Sequence, residues 1–171
     1  MPSNVEIKAR VRDFAALNAR ARHLADAPVQ VIPQLDTFFV TEKGRLKLRE
    51  LDSGTAQLIY YERPDQDGPK RSDYSIFETR DPAALRSVLE KALGIRGRVE
   101  KVRHLYMVGQ TRVHLDEVKG LGHFLELEVV LRPGQSDGEG HRIAEELISQ
   151  LGIERRDLLE SAYMDLLEQS D

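Results

Sequence analysis

The sequence predicts an α+β fold: about eight strands in a mostly antiparallel arrangement, with helices packed on the outside. Three observations lead there. Charged and apolar residues alternate strictly in several short stretches, the period of a strand with two unlike faces. Most of these stretches are separated by turns too short for anything but a hairpin. Apolar residues recur at helical spacing in a few intervening segments. About eight antiparallel strands is also the number that closes into a barrel with room for side chains or one small ligand.

The first strand is Asn4-Val5-Glu6-Ile7-Lys8-Ala9-Arg10-Val11, with Val5, Ile7, Ala9 and Val11 on one face. Asp13 is placed as an N-cap, and Phe14, Leu17, Ala21 and Leu24 mark a helix to about Ala25. Gln34 to Val40 reads as a second strand. Glu42-Lys43-Gly44 turns it into Arg45 to Leu51, whose bases Arg45, Lys47 and Arg49 share a face. Ala56 to Glu62 is a fourth strand. A polar loop runs from Arg63 to Lys70, followed by a strand from Ser72 to Thr79. Asp81-Pro82 opens a helix that Gly94 ends.

Arg98 to Val108 and Gln110 to Glu117 form a hairpin around Gly109. Gly120-Leu121-Gly122 turns into the strand His123 to Leu131. Pro133 to Gly140 reads as a loop. Ile143, Leu147 and Leu151 mark one helix, and Leu158, Leu159, Tyr163 and Leu166 a last one. The whole chain, residues 1–171, is expected to be one domain without internal repeats.

Composition narrows the function. The net charge is −4 with 25 Lys and Arg residues, so bulk charge gives no sign of nucleic-acid binding while leaving room for a local basic site. The absence of cysteine excludes disulfides and thiolate metal sites and is compatible with a reducing cytoplasm, the expected location. No apolar run approaches the ~18 residues of a membrane span, and no signal peptide is evident.

The alternating charges have two readings. They are the wet side of a half-exposed sheet, or they line a barrel whose apolar faces lie outward beneath the helices. Recurrence in five strands favours the second. Arg and Lys in such an interior suit oligophosphate, Arg through its planar fork and Lys as a point charge. Carboxylates among them suit Mg²⁺ or Mn²⁺, which take one or two carboxylates together with phosphate oxygens. Glu6, Glu126 and Glu128 are the trio for that role; ion pairing with neighbouring strand bases is the alternative. His114, on the charged face, reads as a wall residue. No pair of histidines has zinc-site spacing, and there is no Walker-type glycine loop.

The ordered set of motifs resembles the CYTH family, the triphosphate tunnel metalloenzymes, which includes class IV adenylyl cyclases and triphosphatases. Asn4-Val5-Glu6-Ile7-Lys8 is similar to its opening Glu-x-Glu-x-Lys strand, and Arg45-Leu46-Lys47-Leu48-Arg49 to its basic strand. Glu100-Lys101-Val102-Arg103 with Tyr106 and Gly109 resembles its middle strand. Arg112 through Asp116, followed by Gly120-Leu121-Gly122-His123-Phe124-Leu125-Glu126-Leu127-Glu128, resembles its closing hairpin. Ser161 to Leu167 looks like the C-terminal helix of the cyclase-type branch.

The resemblance implies a closed eight-stranded tunnel and a small-molecule triphosphate as the partner, with neither nucleic acid nor membrane; a homodimer is left open. Lys8, Lys47, Arg49, Lys101, Arg103 and Arg112 would contact phosphates. Glu6, Glu126 and Glu128 would hold Mg²⁺ or Mn²⁺, with Asp116 as a further ligand or water-orienting group. Glu6, Lys8 and Asp116 are the implied catalytic residues. The reaction expected is cleavage of a phosphoanhydride bond, by cyclisation or by hydrolysis. A non-catalytic nucleotide or polyphosphate binder is the alternative, and an ordinary barrel with an apolar cavity a third reading. Two positions depart from the family. Asn4 stands where the first Glu is expected. Glu62 stands where many members have Lys, leaving Arg63 as a lower-ranked substitute because a one-residue shift changes face.

Overall fold

The computed structural model describes residues 3–62, 68–160 and 162–170. Strands β1 (Ser3–Arg10), β2 (Gln30–Phe39), β3 (Arg45–Leu51), β4 (Ala56–Glu62), β5 (Lys70–Thr79), β6 (Ile95–Val108), β7 (Thr111–Val118) and β8 (Gly122–Val130) form one antiparallel sheet in the order β5-β4-β3-β2-β6-β7-β8-β1. Pairing of β1 with β5, Ser3 opposite Asp73 through Glu6 opposite Lys70, closes it into a barrel. A two-residue strand β9 (Leu158–Leu159) pairs with β1 at Lys8 and Ala9, beyond the reach of β5. Helices α1 (Phe14–Leu24), α2 (Pro82–Leu93), α3 (Asp137–Leu151) and α4 (Tyr163–Ser170) complete the fold. Among the described residues no helix is long and apolar enough to cross a membrane.

The alternation decides which way the barrel faces. Ile7, Ala9, Val113, Leu115, Leu125 and Leu127 point outward, where Leu17 and Ala21 of α1 and Leu147, Ile148 and Leu151 of α3 cover them. On the other side Leu85 and Leu89 of α2 pack on Phe39, Leu48 and Ala56. Each large apolar side chain buried in this way contributes roughly 1.5–3 kcal/mol, which offsets the desolvation of the charges left facing inward. The core therefore lies between barrel and helices, and the charged side chains gather in the barrel interior.

Several boundaries differ from the sequence reading, each for a physical reason. β2 begins at Gln30 and runs through Pro33, because residues 30–33 pair with β6 alone and leave the other edge open, where proline is tolerated. α3 begins at Asp137 rather than after Gly140. Ser136 and Glu139 form a capping box there, and Gly140 lets the helix sit against β1, since a Cβ at that position would lie 2.6 Å from Val5 Cγ2. Leu158 and Leu159 are not helical; a 3-10 turn at Arg155–Asp157 feeds them into β9, and the last helix starts at Tyr163. Lys70, assigned to a loop, opens β5 and is fully buried.

α4 closes one end of the barrel. Tyr163 and Met164 pack on Phe38, Val99, Val118 and Phe124, at the ends of four strands. Gly97 makes room, since a Cβ there would meet Met164 at 2.5 Å. Arg45 and Arg96 tether the helix through Asp165 at 2.8 and 2.7 Å. Arg45 thus holds α4 rather than joining Lys47 and Arg49.

Candidate active site

Alternate residues from a stretch of each of the eight barrel strands face a cavity of ≈ 250 Å³ inside the barrel. Asn4, Glu6 and Lys8 enter it from β1, Gln34 and Asp36 from β2, and Lys47 and Arg49 from β3. Lys101 and Arg103 come from β6, Arg112 and His114 from β7, and Glu126 and Glu128 from β8. The apolar part of the wall includes Ile32, Leu51, Ile59 and Ile76, with Tyr61 and Tyr74. Tyr163 of α4 also borders the cavity.

Cross-strand register brings these groups together. Glu6 lies opposite Glu128, and Lys8 opposite Glu126. Arg112 lies opposite Glu128 on the other side of β8. Glu6, Glu126 and Glu128 each bring one carboxylate oxygen within 4.8 Å of the others. Three hard, anionic oxygen donors converging at that spacing fit a divalent cation of the Mg²⁺ type.

The cations on the opposite part of the wall are organised by carboxylates. Asp36, which the sequence reading passed over, accepts from Arg49 Nε and Nη2 at 2.9 and 2.8 Å and lies 3.5 Å from Lys47 Nζ and 3.4 Å from Lys101 Nζ. Asp116 accepts from Arg103 Nε and Nη2 at 2.9 and 2.8 Å and from the Tyr163 hydroxyl at 2.8 Å. Arg103 also reaches Glu126 at 3.5 Å, and Lys8 lies 3.8 Å from the same carboxylate and 3.7 Å above the Tyr163 ring centroid. Asp116 therefore faces inward but acts on Arg103 and Tyr163, outside the three-carboxylate group.

These contacts set protonation. Burial alone would raise the Asp36 carboxyl, but Arg49, Lys101 and Lys47 outweigh it and hold the group well below the usual carboxylate range. Burial, then the nearby Arg49, pushes the Lys47 ammonium down to about 8. Burial and Arg103 push Lys101 well below the ordinary lysine value. Burial and Asp116 raise the Tyr163 phenol far above its ordinary value, so it remains a donor. Burial and Arg103 hold His114 neutral.

The other expected residues fall as follows. Arg112 borders the cavity but is largely exposed, at its rim. Glu62 points outward to Tyr60 and Lys43. Arg63 lies outside the described residues. Asn4 is buried on the inner face, and its Oδ1 has no hydrogen-bond partner. Asp36 and Tyr163 were the missed members. Asp36 carries the right parity for the inner face, two residues from Gln34 and from Phe38, and that parity was the available signal.

A barrel with this interior has counterparts among known proteins. The CYTH domain matches residues 3–163. The chain belongs to the CYTH domain family. No curated protein matches it. Among solved structures, this CYTH chain is similar to a protein from Pyrococcus horikoshii, with a TM-score of 0.85 at 24% identity over 95% of this chain and 98% of that one. It is also similar to a proposed adenylate cyclase from Vibrio parahaemolyticus, with a TM-score of 0.80 at 20% identity over 96% and 97% of the two chains. A third is a proposed adenylyl cyclase from Hippeastrum described as having a dominant triphosphatase activity, with a TM-score of 0.66 at 18% identity over 98% and 96%. At these identities the likeness establishes the CYTH fold.

Proposed function

We propose that this CYTH protein is a divalent-metal-dependent enzyme that binds a triphosphate in the barrel and cleaves a phosphoanhydride bond. The observation that carries the reading is the wall itself: six cations, Lys8, Lys47, Arg49, Lys101, Arg103 and Arg112, share one small cavity with the converging Glu6, Glu126 and Glu128. Burial first depresses the ammonium groups of Lys47 and Lys101, and the opposition of neighbouring Arg49 and Arg103 adds to it. A polyanion among them would reverse that opposition, and a linear one could touch several at once.

Arg49 and Arg103 are fixed by bidentate carboxylate pairs, so their outward N–H groups are oriented before substrate arrives. Lys47 and Lys101 add positive charge beside Asp36. Lys8, held between Glu126 and the Tyr163 ring, stands where the carboxylates meet the basic wall. The burial of these groups excludes water from the anion's contacts and strengthens them. Glu6, Glu126 and Glu128 would hold Mg²⁺ or Mn²⁺, which when bound neutralises phosphate oxygens and stabilises charge on the breaking bond.

Incubation with ATP, inorganic triphosphate and thiamine triphosphate, each with Mg²⁺ and with Mn²⁺, tests the reading. Formation of cyclic nucleotide with pyrophosphate assigns cyclisation; orthophosphate assigns hydrolysis. Asn4 favours a second reading, a non-catalytic polyphosphate binder, because it supplies a neutral oxygen where a charged one would strengthen a cation site. Tight triphosphate binding with no product under any metal condition would select it.

A further inference from the structure

His114 sits in the middle of β7 between Arg112 and Asp116 and is 1% exposed. Neither ring nitrogen has a hydrogen-bond partner. A buried polar group left unpaired costs about 1–3 kcal/mol, and an orphan of this kind calls for an explanation. Its surroundings name one. In the strand register His114 faces Glu126, yet its Nδ1 approaches Glu128, at 3.8 Å from Oε1, just beyond hydrogen-bonding distance. A small rotation of either side chain closes that gap. Donation to that carboxylate places the ring proton on Nδ1.

We propose that His114 is a positioning residue for Glu128, donating its Nδ1–H to that carboxylate when Glu6, Glu126 and Glu128 close on a divalent cation. The inference rests on the metal reading above. Three carboxylates on two adjacent strands repel one another until a cation joins them, and a donor behind one of them fixes which oxygen faces the ion. Loss of such an outer partner typically lowers metal affinity 10–100-fold.

The test is Mn²⁺ binding to the metal-free protein without substrate, followed by the electron paramagnetic signal of free Mn²⁺. His114→Leu should weaken binding about 10–100-fold. His114→Asn places an amide N–H near the Nδ1 position and should recover most of the affinity; His114→Gln, whose N–H mimics Nε2, should not. Should the leucine variant not fold, the Asn and Gln pair carries the comparison. Equal Mn²⁺ affinity across the variants overturns the proposal, as does equal rescue by Asn and Gln. Absence of Mn²⁺ binding in the wild type would overturn the metal reading itself, and this inference with it.

Discussion

Asp36 and Arg49, opposite each other on β2 and β3, are joined by two parallel hydrogen bonds, and the same Asp36 carboxylate lies within 3.5 Å of Lys47 and Lys101. One buried carboxylate thus holds three cations. Asp36→Asn should lower the melting temperature of the ligand-free protein, since removing one partner of a buried ion pair costs about 3–5 kcal/mol. Inorganic triphosphate should then raise the variant's melting temperature by more than it raises the wild type's, because the anion replaces the lost charge. Equal ligand-induced shifts in the two proteins would show that Asp36 and the anion act on different cations.

Inorganic triphosphate should raise the wild-type melting temperature even without metal. At a hundredfold excess over the dissociation constant, binding stabilises by about 2.7 kcal/mol. Orthophosphate spans fewer of the cations between Lys8 and Arg112 and should do much less. Thermal scans at matched ionic strength compare the two; identical shifts would argue for non-specific anion binding.

The Lys47 ammonium gives a pH signature. Its value in the folded protein, about 8, lies below its ordinary 10.5. Below pH 8 both folded and unfolded chains hold the proton. Between pH 8 and 10.5 the unfolded chain holds more, so the Lys47 contribution to stability rises with pH across that window. Lys47→Met should flatten this rise in pH-dependent denaturation, with Lys101 supplying what remains. Binding favours charged Lys47, so triphosphate affinity should fall above pH 8, and binding near pH 9 should take up protons. Calorimetry in two buffers of different ionisation enthalpy measures that uptake.

Glu126→Gln and Glu128→Gln should each abolish metal-dependent turnover while leaving metal-free triphosphate affinity equal or higher. Gln keeps the shape and one acceptor oxygen but removes the charge that a hard cation requires. Glu6→Gln should behave alike. Calorimetric titration with and without Mg²⁺, beside turnover at limiting Mg²⁺, checks this; normal turnover there would remove these residues as ligands.

Much of this arrangement was legible because alternation carries both the strand and its facing. Glu6 with Lys8, Lys47 with Arg49, Lys101 with Arg103, and Glu126 with Glu128 all reach the cavity as their parity requires. Arg45 shares that parity yet is drawn to Asp165, a contact made only once α4 docks. Asp36 was obscured by its neighbours Leu35, Thr37, Phe38 and Phe39, since a single carboxylate in an apolar run gives no charge pattern. Tyr163 carries a helical core position and a tunnel hydroxyl at once, and only the tertiary contact with Asp116 separates the two. The start of α3 was hidden by Gly138 and Gly140, which lower local helix propensity even where Gly140 is needed for close packing.

The seam between β1 and β5 also governs how the molecule comes into being. Ser3 and Asp73 are 70 positions apart, and Glu6 meets Glu128 across a still longer stretch of chain. Contacts of that range form slowly, after hairpins such as β3–β4 and β6–β7, because the intervening chain must first surrender its freedom. Glu6 and Lys8 ride on the strand that closes the seam, so the hairpins that carry Lys47, Arg49, Lys101, Arg103, Glu126 and Glu128 exist before the one carboxylate and one lysine that complete the site. During refolding, partial affinity for triphosphate should therefore emerge in an early phase, and full affinity for triphosphate and for the cation only in the last, when Lys8 and Glu6 arrive.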